Sequence, residues 1–523
     1  MMTNHLDASQ FMQDRQFEAD IVIIGSGAGG GIAAEQLAQA GFKVLLLEEG
    51  AFYTHDDFVM QERWAYPQLY QEGAARKSRD QAISILQGRT VGGSTTVNWT
   101  TSIRTPKATL NYWNSEFGIN FSGDNDLAAY FAMAEQRLNI QPWQVAPNAN
   151  NAKLQQGCEK LGWQYTVINR NVNGCANLGY CGMGCPINAK QSMLVSTIPA
   201  AIALGTTLIS RISVRKLHWQ GDSITGLDAV PVDQHFQPRS DIRIHIKAKH
   251  YIVAAGAIGS PALLLRSGVP NPSGRLGKHT YLHPTVISGA LFADAINGHS
   301  GAPQSIYSDH FVWPQHSDKA GYKLEVPPLH PVLMATKLTG TSGQHAALMQ
   351  QFNHLQVIIA LLRDGFHPQS QGGTVQLDDA QQPVLDYPIT DYLWQGMREA
   401  LLSMAELQFA AGAKQVLPIH HDAKLYNSWA EAKRAIPALP MQKLRQTVVS
   451  AHVMGGCNMS SSVANGVVNQ NGRHHQLQNL SVFDGSILPS SLGANPQLTI
   501  YALVWRNCQL LITSLQQSHN LTL

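Results

Sequence analysis

The sequence predicts an α/β protein in which a parallel, helix-flanked sheet is interrupted by an inserted α+β domain, and three observations carry that prediction. At 523 residues the chain exceeds the size at which one hydrophobic core stops growing, which requires at least two closely joined domains. Residues 20–50 read as strand, tight glycine turn, helix and second strand, the βαβ unit that opens many parallel sheets. Residues 286–449 then change character, with scattered His, Pro and aromatic residues, and mark the insertion.

Ile21-Val22-Ile23-Ile24 is the first strand and Val44-Leu45-Leu46-Leu47 the second. Between them residues 31–40 carry the Ala, Glu and Leu of a helix, and Gly41 stands where that helix should stop. Residues 126–138 have the spacing of an amphipathic helix, and a second helical run lies around 394–411. Residues 242–255 read as two strands leading into the Ala254-Ala255-Gly256-Ala257 turn, which should return the chain to the first sheet. No internal repeat supports a solenoid or a propeller.

Only 14% of residues are charged, against roughly a quarter in an ordinary soluble domain, so much of the surface is expected to be buried or to meet something apolar. A formal charge of +2, with no long basic run, gives no electrostatic case for nucleic acid. Residues 1–17 are polar and lack the features of a secretory signal, and no twin arginine is present there. No apolar run approaches the ~18 residues of a membrane span; the stretch 357–362 is far too short. The expectation is a soluble, cytoplasmic protein without a transmembrane segment, with export on a signal-bearing partner left open. Six cysteines are too few for a disulfide scaffold at this length.

Gly25-x-Gly27-x-x-Gly30 lies between the first strand and the helix, where missing side chains let the backbone turn tightly and aim N–H groups at a pyrophosphate. Glu48 ends the second strand, where a carboxylate can accept from both hydroxyls of a ribose and would repel a phosphate there. This is a Rossmann-type dinucleotide fingerprint, and by itself it does not separate FAD from NAD. Three further blocks stand out. They are Gly88-Arg89-Thr90-Val91-Gly92-Gly93-Ser94-Thr95-Thr96-Val97-Asn98 followed by Arg104, Ala254-Ala255-Gly256-Ala257-Ile258-Gly259-Ser260-Pro261, and a C-terminal pair. The pair is Ala451-His452-Val453-Met454-Gly455-Gly456-Cys457 and Val482-Phe483-Asp484-Gly485-Ser486, the latter followed by Gly493-Ala494-Asn495-Pro496-Gln497.

In these blocks the sequence resembles the glucose-methanol-choline (GMC) oxidoreductase family, nearest to its long-chain alcohol oxidase and cholesterol oxidase branches. The resemblance implies non-covalent FAD in a Rossmann-type domain built from residues 15–285 and 450–523. A cap segment of about 111–190 would interrupt the first part, and 286–449 would form the substrate-binding domain. Residues Gly88, Arg89, Gly92, Gly93 and Asn98 would cover the flavin: small residues admit the ring, and Asn98 can donate to its polar edge. Ala255 and Gly256 would lie near the cofactor, the Val214 backbone would meet the adenine, and Asp484 and Gly485 would return the chain to the flavin.

Oxidising an alcohol by hydride transfer leaves a developing alkoxide, so the hydroxyl proton must be accepted or held. His452 matches the family's catalytic histidine and is expected to handle that proton. Asn495 matches the second member of the pair; its amide donates without titrating and should position the alcohol. His283, in Leu282-His283-Pro284, is read as structural. The middle of the chain holds Cys175-x5-Cys181-x3-Cys185-Pro186, similar to cysteine-rich segments of long-chain alcohol oxidases and to the iron-sulfur segment of multi-subunit sugar dehydrogenases in the family. An iron-sulfur cluster, a reduced loop and a disulfide all stay open there. The expected activity is oxidation of a hydrophobic alcohol, with oxygen, a quinone or a partner protein as electron acceptor. A lyase or photodecarboxylase on the same scaffold, or a non-catalytic FAD-binding protein, are the alternatives.

Overall fold

The computed structural model describes residues 4–121, 126–314, 318–338 and 342–520. Its first sheet has eight strands, in the order His5–Asp7, Thr207–Ser210, Val44–Leu47, Arg15–Ile24, Ile244–Val253, Ser223–Pro231 and Ile212–Gln220, with Leu480–Val482 on a free stretch of Ile244–Val253. Pairing is parallel from His5–Asp7 to Ile244–Val253 and antiparallel over the last two steps. The helix Ala28–Gln39 connects Arg15–Ile24 to Val44–Leu47, as the apolar runs and the glycine turn predict. Two faces of cover explain why both strands are uninterrupted apolar runs where they meet.

Residues 242–255 differ from the sequence reading. They hold one ten-residue strand, Ile244–Val253, and not two. The change of pattern within it follows a change of partner. Its first half alternates and pairs antiparallel with residues 227–229, while its last residues are buried throughout and pair parallel with Leu480–Val482. The amphipathic helix is Leu127–Arg137, started by Asp126, whose carboxylate accepts from the Ala128 N–H. It packs with Ala28–Gln39 against the long C-terminal helix Gln497–Asn520.

A second eight-stranded sheet runs Ile83–Ile85, Val448–Ser450, Thr285–Leu291, Leu355–Leu362, Tyr322–Glu325, Ile306–Phe311 and Thr166–Val167, with Gln415–Pro418 also on Thr285–Leu291. The helix Asp391–Ala410 covers one face. Strand alternation divides Leu355–Leu362 between two environments: Ile358, Ala360 and Leu362 join the core beneath that helix, while Ile359 and Leu361 face a cavity on the other side. A four-stranded sheet pairs Lys278–Leu282 antiparallel with Val453–Gly455, Leu282 opposite Val453. His283 follows the one strand and His452 precedes the other, so this register sets the two imidazoles side by side. Among the described residues no helix is long and apolar enough to cross a membrane.

Candidate active site

The first sheet delivers Gly25 and Glu48 at neighbouring strand ends. Gly25 has φ +103°, and a Cβ there would sit 2.3 Å from the Ala254 carbonyl oxygen; one on Gly30 would sit 1.8 Å from the Gly25 oxygen. Only glycine lets the helix start this close to the strands. The helix begins at Gly27 with no side-chain cap, so its first N–H groups stay available to an anion. Glu48 accepts from the Ser26 N–H at 3.0 Å, the Ser26 hydroxyl at 2.6 Å and the Gly50 N–H at 2.8 Å. Burial raises its pKa, and these hydrogen bonds oppose the rise. The 88–98 loop is fastened to this cradle. Gly92 N–H donates to Ser26 Oγ at 2.9 Å, and a Cβ on Gly93 would come within 2.8 Å of Gly27 Cα.

A cavity of about 250 Å³ is lined by Ala28 and Gly29 at the helix start, by Gly88, Asn98, Gly256, Asp484 and Gly485, and by His452 and Asn495. Asp484 ties two of its walls together, accepting from Gly256 N–H at 2.8 Å, Ser260 hydroxyl at 2.5 Å and Ser486 N–H at 2.8 Å. Ala255 precedes the helix Gly256–Ser267. Asn98 is held rigid: its amide donates to Gln497 Oε1 at 2.7 Å and its oxygen accepts from Thr100 N–H at 3.1 Å. Arg89 and Val214 do not line this cavity. The Arg89 guanidinium lies 3.9 Å from the centre of the Phe236 ring, and Val214 pairs with Ala229 in the first sheet.

In the cavity wall, His452 Nε2 lies 3.4 Å from Asn495 Nδ2, and His452 Nδ1 lies 2.9 Å from His283 Nδ1. Asn495 Nδ2 donates to Glu325 Oε2 at 3.3 Å, and Gln304 Nε2 donates to the same oxygen at 2.7 Å. That leaves Glu325 Oε1 and Asn495 Oδ1 buried without a partner. Such orphans beside a cavity mark places where a ligand completes the hydrogen bonding. Enclosure by protein, helped by the Lys323 charge, pushes the His452 pKa down to about 4. Burial pushes Glu325 up, opposed by Lys323. Glu325 has no counterpart among the sequence motifs. Its one signal is a carboxylate closing the fully buried strand Tyr322–Glu325.

Cys175, Cys181 and Cys185 are free thiols lining one narrow pocket with Arg170 and Lys190, and no carboxylate lines it. Lys190 Nζ donates to the carbonyls of Thr96 at 2.5 Å, Cys181 at 2.6 Å and Asn98 at 3.1 Å, joining the cysteine segment to the 88–98 loop. Burial lowers its pKa to about 8. Arg170 is fully buried and donates to Thr100 Oγ1 at 2.7 Å and Cys181 Sγ at 3.5 Å, while its Nη1 has no partner. The pocket's charge suits an anion. Among the described residues, however, no group of three or more His, Cys, Asp or Glu side chains is arranged to hold a metal ion, so the cysteine spacing alone does not make a formed metal site.

A glycine turn with free helix N–H groups, beside a cavity lined by His, Asn and Glu, suits a dinucleotide cofactor and acid-base chemistry. The chain belongs to the GMC oxidoreductase family: residues 66–285 match the family's N-terminal part and 368–503 its C-terminal part. It is thus an FAD-dependent oxidoreductase. It is 30% identical over 489 residues to the uncharacterized GMC-type oxidoreductase Rv0492c of Mycobacterium tuberculosis, covering 93% of this chain and 74% of that one. It is 28% identical over 505 residues to the long-chain-alcohol oxidase FAO4A of Arabidopsis thaliana, covering 94% and 68%. The structure of an Aspergillus oryzae RIB40 formate oxidase variant, solved to study FAD modification, superposes with a TM-score of 0.72 at 15% identity over 97% of this chain and 100% of that one, a likeness of fold.

Proposed function

We propose that the protein oxidises the CH–OH group of a hydrophobic alcohol to an aldehyde or ketone, using FAD held without a covalent bond. The carrying observation is one cavity lined both by Ala28 and Gly29, where the helix after the glycine turn begins, and by His452, Asn495 and Glu325. Its walls include Val97, Trp99, Ile359, Leu361, Val453 and Ile500, which suit an apolar substrate, and the similarity to a long-chain-alcohol oxidase points the same way. The helix start at Gly27 would hold the pyrophosphate, Glu48 the ribose, and the 88–98 loop with Gly256 and Gly485 the ring system. When bound, FAD supplies the hydride acceptor.

The chain's own groups then act on the alcohol. Two nitrogens 3.4 Å apart, His452 Nε2 and Asn495 Nδ2, can both face one substrate oxygen. Beside that oxygen His452 Nε2 and Glu325 Oε1 are the groups able to exchange a proton, since the Asn495 amide does not titrate. Low-polarity walls strengthen both interactions by excluding water. Oxygen is the acceptor that the oxidase relative favours, with a quinone or partner protein as the other outcomes of an acceptor screen. For Cys175, Cys181 and Cys185 the structure favours a reduced cysteine loop, because among the described residues they form no metal-holding group. Iron and acid-labile sulfide in anaerobically purified, FAD-loaded protein, lost in Cys181→Ser, would overturn that reading.

Anaerobic addition of primary and secondary alcohols of increasing chain length, with flavin absorbance as the readout, tests the main reading. Bleaching is expected. Bound flavin that no alcohol reduces would point to a lyase, a light-driven decarboxylase or a non-catalytic FAD protein.

A further inference from the structure

His283 is 2% exposed and carries no role in the reading above, yet it makes the closest contact to His452. Its ring stands at 83° to the His452 ring, so the two meet through their nitrogens, 2.9 Å apart, and are not stacked. On its other side His283 Nε2 lies 3.3 Å from the Gly493 backbone nitrogen, which donates to it. A backbone N–H can only donate. A neutral imidazole has one N–H and one acceptor nitrogen. If Nε2 of His283 accepts from Gly493, its proton sits on Nδ1 and is donated to His452 Nδ1. The His452 proton must then sit on Nε2, facing the cavity. The reverse arrangement sets two N–H groups against each other at the Gly493 contact and leaves a buried donor unmet.

Both rings are held neutral, which the argument needs. Burial lowers each, and the charged groups facing His283 are the cations Lys323 and Arg363, which lower it further. Asn495 Nδ2, which can only donate, lies 3.4 Å from His452 Nε2 and asks that nitrogen to accept, so this contact and the Gly493 contact compete for one tautomer. The Gly493 N–H direction is fixed by the backbone, whereas the Asn495 amide also has Glu325 Oε2 to donate to, and the Gly493 contact therefore decides.

Resting on the proposed reading of the site, we propose that His283 is a positioning residue: with the Gly493 amide it fixes the tautomer of His452, which therefore holds the substrate oxygen as an N–H donor. His452 and Asn495 then form a two-donor cradle for the developing oxyanion. The acceptor left beside the oxygen is Glu325 Oε1. When the O–H bond breaks, its proton passes to Glu325 Oε1 and its electron pair forms the C=O bond; FAD, when bound, would supply the acceptor for the hydride that the C–H bond gives up.

The test is made on holoenzyme labelled with ¹⁵N-histidine. Long-range ¹H–¹⁵N correlations distinguish the two tautomers, and the His452 signal is assigned by its loss in His452→Gln. Wild type should show the Nε2–H form; the Nδ1–H form, or an even mixture, overturns the proposal. Stopped-flow flavin reduction gives a second readout. His283→Leu should lower the rate by roughly 10²-fold, less than the ~10⁴-fold of a fully wrong tautomer. In His283→Asn the amide can donate to His452 Nδ1 and should recover most of that loss, whereas in His283→Asp the carboxylate can only accept and should give the slowest variant. His283→Asp at the wild-type rate overturns the proposal. If wild type is not bleached by any alcohol, the functional reading fails; if it is bleached with His452 in the Nδ1–H form, only the tautomer assignment fails.

Discussion

Glu325→Gln isolates the proton acceptor with little disturbance of shape. Glu325 Oε2 takes the Gln304 amide at 2.7 Å and the Asn495 amide at 3.3 Å, and the glutamine carbonyl can take over both. The new NH₂ would occupy the place of Oε1, which has no protein partner to lose. Folding and FAD binding should therefore persist, while the one carboxylate that lines the cavity beside His452 among the described residues is gone. Losing a positioned base should slow flavin reduction roughly 10²- to 10⁴-fold, about 3–5 kcal/mol of barrier. The pH profile gives a second signature. Glu325 is raised above the ordinary carboxylate value by burial and must be ionised to accept, so wild-type reduction should fall as pH drops through that raised value. The variant should lose this dependence. Anaerobic stopped-flow at a series of pH values over which the holoenzyme stays folded makes the comparison. A variant within threefold of wild type, with the acid limb intact, would refute the assignment.

Asn495→Ala should slow reduction by about 10²-fold or more, because an oxyanion loses one of two donors; stopped-flow on flavin-loaded protein checks it. Acid precipitation should release the flavin into the supernatant, where its absorbance is measured. Buried neutral histidines make the fold acid-sensitive: His452 and His474 are lowered from 6.5 to about 4, and His250 to about 3. Their folded pKa values lie below the unfolded one, so the unfolded chain takes up protons first as pH falls. Stability should be full above pH 6.5 and decline between 6.5 and 4, by on the order of 3 kcal/mol each for His452 and His474, read as a falling thermal midpoint.

The dinucleotide cradle was legible because its parts are local. Gly25, Gly27, Gly30 and Glu48 fall within one βαβ unit, and their chemistry is fixed by turn and strand end whatever else the chain does. The sequence singled out His452 and Asn495 through their glycine-rich neighbours, and both line the same cavity. Glu325 and His283 were not singled out in this way. Each reaches the site from a strand of a different sheet, and only the pairing of Leu282 with Val453 and of Tyr322–Glu325 with Leu355–Leu362 brings them together. Nor could the sequence show that residues 244–253 form one strand, since the partner changes halfway along it. The strand His5–Asp7, three residues in a polar stretch, owes its existence to the edge offered by Thr207–Ser210.

Flavin reduction in His452→Ala tests the central claim most directly. FAD should stay bound, because His452 is not part of the glycine turn and Glu48 that would hold the dinucleotide. With saturating alcohol under anaerobic conditions, reduction should be slower than wild type by roughly two to four orders of magnitude. It should still show a substantial isotope effect with alcohol deuterated at the reacting carbon. A flavin-loaded His452→Ala protein that is reduced at the wild-type rate would place the catalytic centre elsewhere.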